Sequence, residues 1–322
     1  MLIGQQSIEP PGLMKRIKAM IGNAEAQSDL GVAYATGAGV DRSMIEARQW
    51  WEKAAASGDM DAQYALGLLY AGSGYDGVTQ DFEIAASWFN KAAEAGDVWA
   101  QYSLGLFYDV GMSFTQNNKL AGQWYLRAAE AGNEYAQHNV GMMFENGQGT
   151  EVSLIDAAKW YRRAAQQGNA RSAYFLGRMF EDGKGVQADM DLAGTYYRRA
   201  AEGGVVAAQT KIGDYFYDGK GGMVQKFEEA VNWYRKAAES NDVTAAILLA
   251  RMYDAGVGIN KDPMEAAKWS RAAMKAANAK PVDYKMGLES FGHFLVRRKI
   301  EREAEQANKE ANEAQKKLQK KE

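Results

Sequence analysis

The sequence predicts an all-α fold, an α-solenoid of about seven helix-turn-helix repeats, and three recurring marks carry that prediction. A pattern Ala-Gln-x-x-Leu-Gly-x-x-Tyr returns with its glycine at Gly31, Gly67, Gly105, Gly141, Gly177 and Gly213, and with Ala250 in the seventh copy. A second pattern, Ala-x-x-Trp-Tyr-x-Lys/Arg-Ala-Ala-x-x-Gly, follows each one, led by Trp50, Trp88, Trp124, Trp160, Tyr196, Trp233 and Trp269. Between them lies an aromatic followed by a spaced glycine pair, such as Phe144 with Gly147 and Gly149, or Phe180 with Gly183 and Gly185. All three keep one register at intervals of 36 to 38 residues, the mark of a stacked array in which each unit covers its neighbour.

Each copy reads as two amphipathic helices. In the second copy, helix A is expected from Met60 to Ala71, with Ala62, Leu66, Leu69 and Tyr70 on one face. Helix B is expected from about Asp81 to Ala95, with Ala85, Trp88, Phe89, Ala92 and Ala93 facing inward. The recurring Trp residues are expected in the core, because large aromatic rings at a fixed repeat position are usually buried. The glycine inside helix A costs about 1 kcal/mol against alanine, so a close approach of the paired helix should compensate. The glycine pair suits a left-handed helix end and a turn. These positions account for much of the 34 glycines, and only 4 prolines leave the helices uninterrupted.

From about Gly22 to Ala277 these motifs resemble Sel1-like repeats, longer relatives of the tetratricopeptide repeat. The seventh copy departs from the pattern at Ala250 and at Ser270, where an aromatic is expected after Trp269. The resemblance implies a right-handed superhelix with helices A lining a concave face. It also implies an adaptor role in bacterial signalling, secretion or assembly, one form of which is an immunity protein for a secreted toxin.

Three segments are expected. Residues 1–22 form an N-terminal capping half-repeat, with Leu13, Met14, Ile17 and Met20 as its apolar side. Residues 23–280 form the seven-copy solenoid. Residues 281–322 form a charged C-terminal helix, in part disordered, whose Val282, Met286, Phe291, Phe294 and Leu295 can cover the last hairpin. Farther on, Ile300, Ala304, Ala307, Ala311, Ala314 and Leu318 make a weak heptad seam, which reads either as a solvated helix or as a homodimer contact.

Composition removes several functions. A net charge of −3 does not build the basic field that nucleic acid requires. There is no cysteine for disulfides or thiolate metal sites, and no stretch of about 18 apolar residues for a membrane span. The first residues lack a secretory leader pattern, so the expected location is cytoplasmic, or periplasmic if a leader has been removed. His138 and His293 are the only histidines, too few for a histidine metal site or a triad. The spaced glycines lack the preceding strand and the Gly-Lys-Ser/Thr of a phosphate loop. No cofactor and no metal are expected, and the chain reads as a binding protein, with a hydrolase the lesser alternative.

Repeat position fixes the core, so residues that change between copies are free to meet a partner. By analogy with tetratricopeptide helices, the positions six and three before the repeat glycine and one after it face the concave side. They hold Tyr64 and Leu68 in copy two, Trp99, Tyr102 and Leu106 in copy three, Tyr135, His138 and Met142 in copy four, and Arg171, Tyr174 and Arg178 in copy five. Such a stripe, rich in Tyr, Trp, Met and Arg, is expected to anchor another protein. Asp109, Glu145, Glu181, Asp218 and Asp254 are expected to rim it with negative charge. The alternative is a structural assembly protein that self-associates through its C-terminal helix.

Overall fold

A computed structural model of the chain describes residues 12–278, which contain fifteen α-helices and one isolated β-bridge, between Tyr75 and Val78. The first helix, α1 (Leu13–Met20), stands alone. Hairpins follow: α2 (Ala24–Thr36) with α3 (Met44–Ala56), and α4 (Met60–Ala71) with α5 (Phe82–Glu94); α6 (Val98–Val110) and α7 (Asn118–Glu130) come next in the chain. The next are α8 (Glu134–Asn146) with α9 (Leu154–Gln166), and α10 (Ala170–Asp182) with α11 (Met190–Glu202). The last two are α12 (Val206–Asp218) with α13 (Phe227–Glu239), and α14 (Val243–Ala255) with α15 (Pro263–Ala277). They fall into two compact units that divide between Gln116 and Asn117, and inside each unit every helix packs on its chain neighbours. The expected C-terminal helix and its seam lie outside the described residues.

Side-chain caps start nearly every helix of the array. Helices A open on Asn23, Asp59, Asp97, Asn133, Asn169 and Asp242, each accepting a backbone N–H three residues on. Helices B open on Ser43, Asp81, Asn117, Ser153, Asp189 and Asp262 in the same way. Copy six is the exception: Val205 and Lys226 stand at both starts and neither side chain caps. At the far end of α10, Gly183 takes φ +67° and Gly185 φ +70°. A Cβ at Gly185 would strike the Leu154 carbonyl at the start of the preceding helix B, so this turn needs glycine for both conformation and room.

The core corrects one expectation. Among the leading aromatics, Trp50, Trp88, Trp124, Trp160, Tyr196 and Trp233 are only half-buried. The next residue is the core ring instead: Trp51, Phe89, Tyr125, Tyr161, Tyr197 and Tyr234 are all essentially inaccessible. Consecutive residues on a helix point about 100° apart, so only one of the two can face helix A. In copies one, two, four, five and six that ring lies against the bare backbone of the repeat glycine. A Cβ on Gly141 would come within 2.6 Å of Tyr161, and one on Gly177 within 2.9 Å of Tyr197. The leading Trp turns outward and carries a cation from one helical turn on, with Lys91 4.0 Å from the Trp88 ring and Arg127 4.6 Å from Trp124.

A side-chain bond ties successive copies. The Gln of the first motif reaches back to the end of the previous helix B, as Gln63 to the Ala55 carbonyl (3.3 Å) and Gln137 to Ala129 (3.0 Å). Copy five has Ala173 in place of this Gln, and Arg199 donates to the equivalent Ala165 carbonyl instead, at 3.2 Å. The opening helix joins the same scheme, since Gln27 donates to Ala19 and Ala19 is fully buried. Of its expected apolar side, Met14, Ile17 and Met20 are exposed among the described residues. The small Ala19 faces α2 because it lets the two backbones approach, and the longer side chains are thereby turned outward.

Candidate binding surface

In the first unit, most of the expected stripe is interior. Tyr64 and Leu68 are buried, and the Tyr64 ring sits 5.6 Å from Phe89. Tyr102 and Leu106 are buried too, while Trp99 is half-buried and meets Tyr102 edge-on at 6.2 Å. The cause lies in the glycine–ring contact. In copy two the position three before the glycine is one helical turn below it, so Phe89, which covers Gly67, also covers Tyr64. These four residues are therefore not parts of an open patch.

In the second unit the same position is again under the ring. His138 is buried, 5.6 Å from Tyr161 and 5.5 Å from Phe175, with Nδ1 2.8 Å from the Ser172 hydroxyl. Burial, with the nearby Arg171 charge adding to it, pushes its pKa down to about 4, so the imidazole is neutral at physiological pH. It too is not part of an open patch. Other members of the stripe do reach solvent: Tyr135 is 45% exposed, Arg171 is exposed, and Met142, Tyr174 and Arg178 are half-buried. Phe175 gathers several of them, with Tyr174 edge-on at 5.8 Å and the Arg178 guanidinium 5.6 Å from its ring.

Two members of the acidic rim, Glu145 and Glu181, are committed inward. Glu145 accepts the Tyr161 hydroxyl (2.7 Å), and Glu181 accepts the Tyr197 hydroxyl (2.6 Å). Burial, then hydrogen bonding to these carboxylates, holds both phenols far above the ordinary tyrosine range. Glu181 also pairs with Lys211 at 3.2 Å, and Asp218 pairs with Lys220 at 2.7 Å.

Beyond the expected stripe, a cavity of about 490 Å³ opens between α12 and α14. Asp214 and Arg251 line it, each directly after the repeat position held by Gly213 and Ala250. They obey the rule that selected Met142 and Arg178, so the signal for them was present in copies six and seven. Asp214 accepts the Tyr234 hydroxyl at 2.8 Å. Its pKa is raised, mainly by burial with Asp218 and Glu181 adding, against the lowering influence of Tyr234 and Lys211. Leu248, Met252 and Val257 form the apolar wall. Among the described residues no group of three His, Cys, Asp or Glu is placed to hold a metal, and no helix is long and apolar enough to cross a membrane.

A model of the Sel1 repeat matches this chain seven times, over residues 24–59, 61–97, 100–133, 134–169, 170–205, 206–242 and 243–278. The chain belongs to the Sel1 repeat family, and its described fold is a solenoid of those repeats. Among solved structures it is similar to a protective antigen of uropathogenic Escherichia coli with an SLR fold, at 31% identity and a TM-score of 0.78. That match covers 82% of this chain and 56% of the antigen, so the chain spans little more than half of its relative. It is also similar to a Sel1 repeat protein from Oxalobacter formigenes, at 33% identity and TM-score 0.69, covering 83% of this chain and 77% of that one. An immunity protein from Pseudomonas aeruginosa aligns at 18% identity and TM-score 0.42, covering 68% and 81%, too distant to carry a functional argument. No curated protein matches.

Proposed function

We propose that the chain is a protein-binding scaffold, without catalytic activity of its own, and that a partner docks on the A-helix face of the second unit. The supporting observation is a contrast within each copy. A glycine and an aromatic residue hold the glycine and ring positions of the repeat in copies one to six, while the solvent-reaching A-helix positions run through Tyr135, Met142, Arg171, Arg178, Asp214 and Arg251. A surface that varies in shape and charge over a constant core suits one particular partner. Binding energy at such surfaces concentrates in a few aromatic and Arg anchors, each worth about 2 kcal/mol or more. The test is capture of a partner from the native host with wild-type chain, repeated with Tyr135→Ala and Arg171→Ala and with the helix-B changes Glu94→Ala and Glu130→Ala. The first pair should weaken binding at least about tenfold, which is roughly 1.4 kcal/mol, at an unchanged melting point. Loss of binding in the second pair alone would place the partner on the opposite side.

A further inference from the structure

We infer that the cavity between α12 and α14 receives an extended partner segment carrying one basic and one acidic side chain, the basic one against Asp214 and the acidic one against Arg251. This rests on the scaffold reading and adds the chemistry of what is bound. The cavity's charged groups sort themselves by partner. Lys211 is committed to Glu181 and Lys220 to Asp218. Asp214 uses one oxygen for the Tyr234 hydroxyl and has no ion pair within 4.0 Å among the described residues. Arg251 is exposed and likewise has no ion pair among them.

The two open charges occupy the same register position on neighbouring helices A, and they do not neutralise each other. A purely cationic ligand would leave Arg251 repelling it, and a purely anionic one would meet Asp214 and Asp218. A segment with both signs satisfies both ends, and like-charge contact rejects the wrong orientation. Leu248, Met252 and Val257 lie along the cavity wall, apolar surface for the methylene stems of such side chains. Alternate residues of an extended chain share one face, so a basic and an acidic residue two apart can point into the cavity together.

The test uses isotope-labelled full chain titrated with four end-capped peptides of equal length, followed by amide chemical shifts. One carries Lys-Leu-Glu in a Gly-Ser background; the others replace Lys by Gln, Glu by Gln, or both. The Lys-Leu-Glu peptide should bind about tenfold more tightly than either single-charge peptide and shift amides of α12 and α14. Asp214→Asn, which keeps an acceptor for Tyr234, should erase the preference for Lys over Gln. Arg251→Gln should erase the preference for Glu. Equal binding of all four peptides, no binding at millimolar peptide, shifts confined to other helices, or preferences that survive both substitutions would each overturn the assignment. None of these outcomes touches the scaffold reading, which stands or falls on the Tyr135 and Arg171 variants.

Discussion

Copies six and seven are adjacent hairpins that each lack a different part of the repeat. Copy six keeps the glycine–ring contact, Gly213 against Tyr234, but has lost both capping side chains. Copy seven keeps both caps, Asp242 and Asp262, but has lost the contact on both sides at once. Ala250 stands where the glycine was, and Ser270, exposed and bonded to its own helix, stands where the ring was. The ring's burial has moved back one residue to Trp269, the most buried of the leading aromatics. The repeat is therefore two separable devices. Contact and caps can be lost independently, but glycine and ring change together, because the glycine is needed only where a ring lies on it.

The sharpest way to break this comparison is to remove a ring. Tyr234→Ala should destabilise the array by about 3–5 kcal/mol in urea unfolding, as for other buried aromatics, whereas Ser270→Ala should be within about 0.5 kcal/mol. A similar loss at both sites would show that copy seven retains the contact in another form.

Next is pH. Copies six and seven have Thr210 and Ile247 where copy four has His138. With its pKa lowered from 6.5 to about 4 by burial, His138 binds its proton more readily in the unfolded chain. Its contribution is complete above pH 6.5 and falls as pH drops towards 4, by about 1.4 kcal/mol per unit. His138→Thr should be less sensitive than wild type over that window, and parallel stability curves would mean that His138 titrates as an ordinary surface histidine.

Gly213→Ala should cost about 1–3 kcal/mol through overpacking, since the new Cβ would lie 2.5 Å from the Tyr234 ring. In a Tyr234→Ser background the same change should cost less, and that coupling is the direct measure of glycine–ring dependence. The smallest effect is a gain. Val205→Asn and Lys226→Asp would restore the two caps of copy six, each adding about 1 kcal/mol. No gain at either site would show that the backbone there is already satisfied.

Most of the fold was legible in the sequence, because helix period and glycine turns are local signals. The second copy's first helix was expected at Met60–Ala71 and occurs there. What could not be read was rotation about the helix axis. Trp160 and Tyr161 are adjacent, both large, and both repeat, and only the approach of helix A decides which is inside. The same ambiguity moved Tyr64, Leu68, Tyr102, Leu106 and His138 from the expected surface into the interior. Asp214 and Arg251 show the converse: their repeat position was readable, but their shared cavity follows from how α12 and α14 pack.

The Gln tie between copies carries a consequence for the order in which a growing chain can assemble. Gln137 and the carbonyl it serves, Ala129, are eight residues apart, whereas Gly141 and the ring that covers it, Tyr161, are twenty apart. A ribosome adding about 5–20 residues per second exposes the first pair within roughly a second of each other. The nearer contact also has the lower cost of closing its loop. The unit that can form earliest is therefore a helix B with the helix A of the following copy, offset by half a period from the repeat as written in the sequence. Nascent chains arrested after a complete helix A should resist proteolysis better than those arrested after a complete helix B, because only the former have finished their latest such unit.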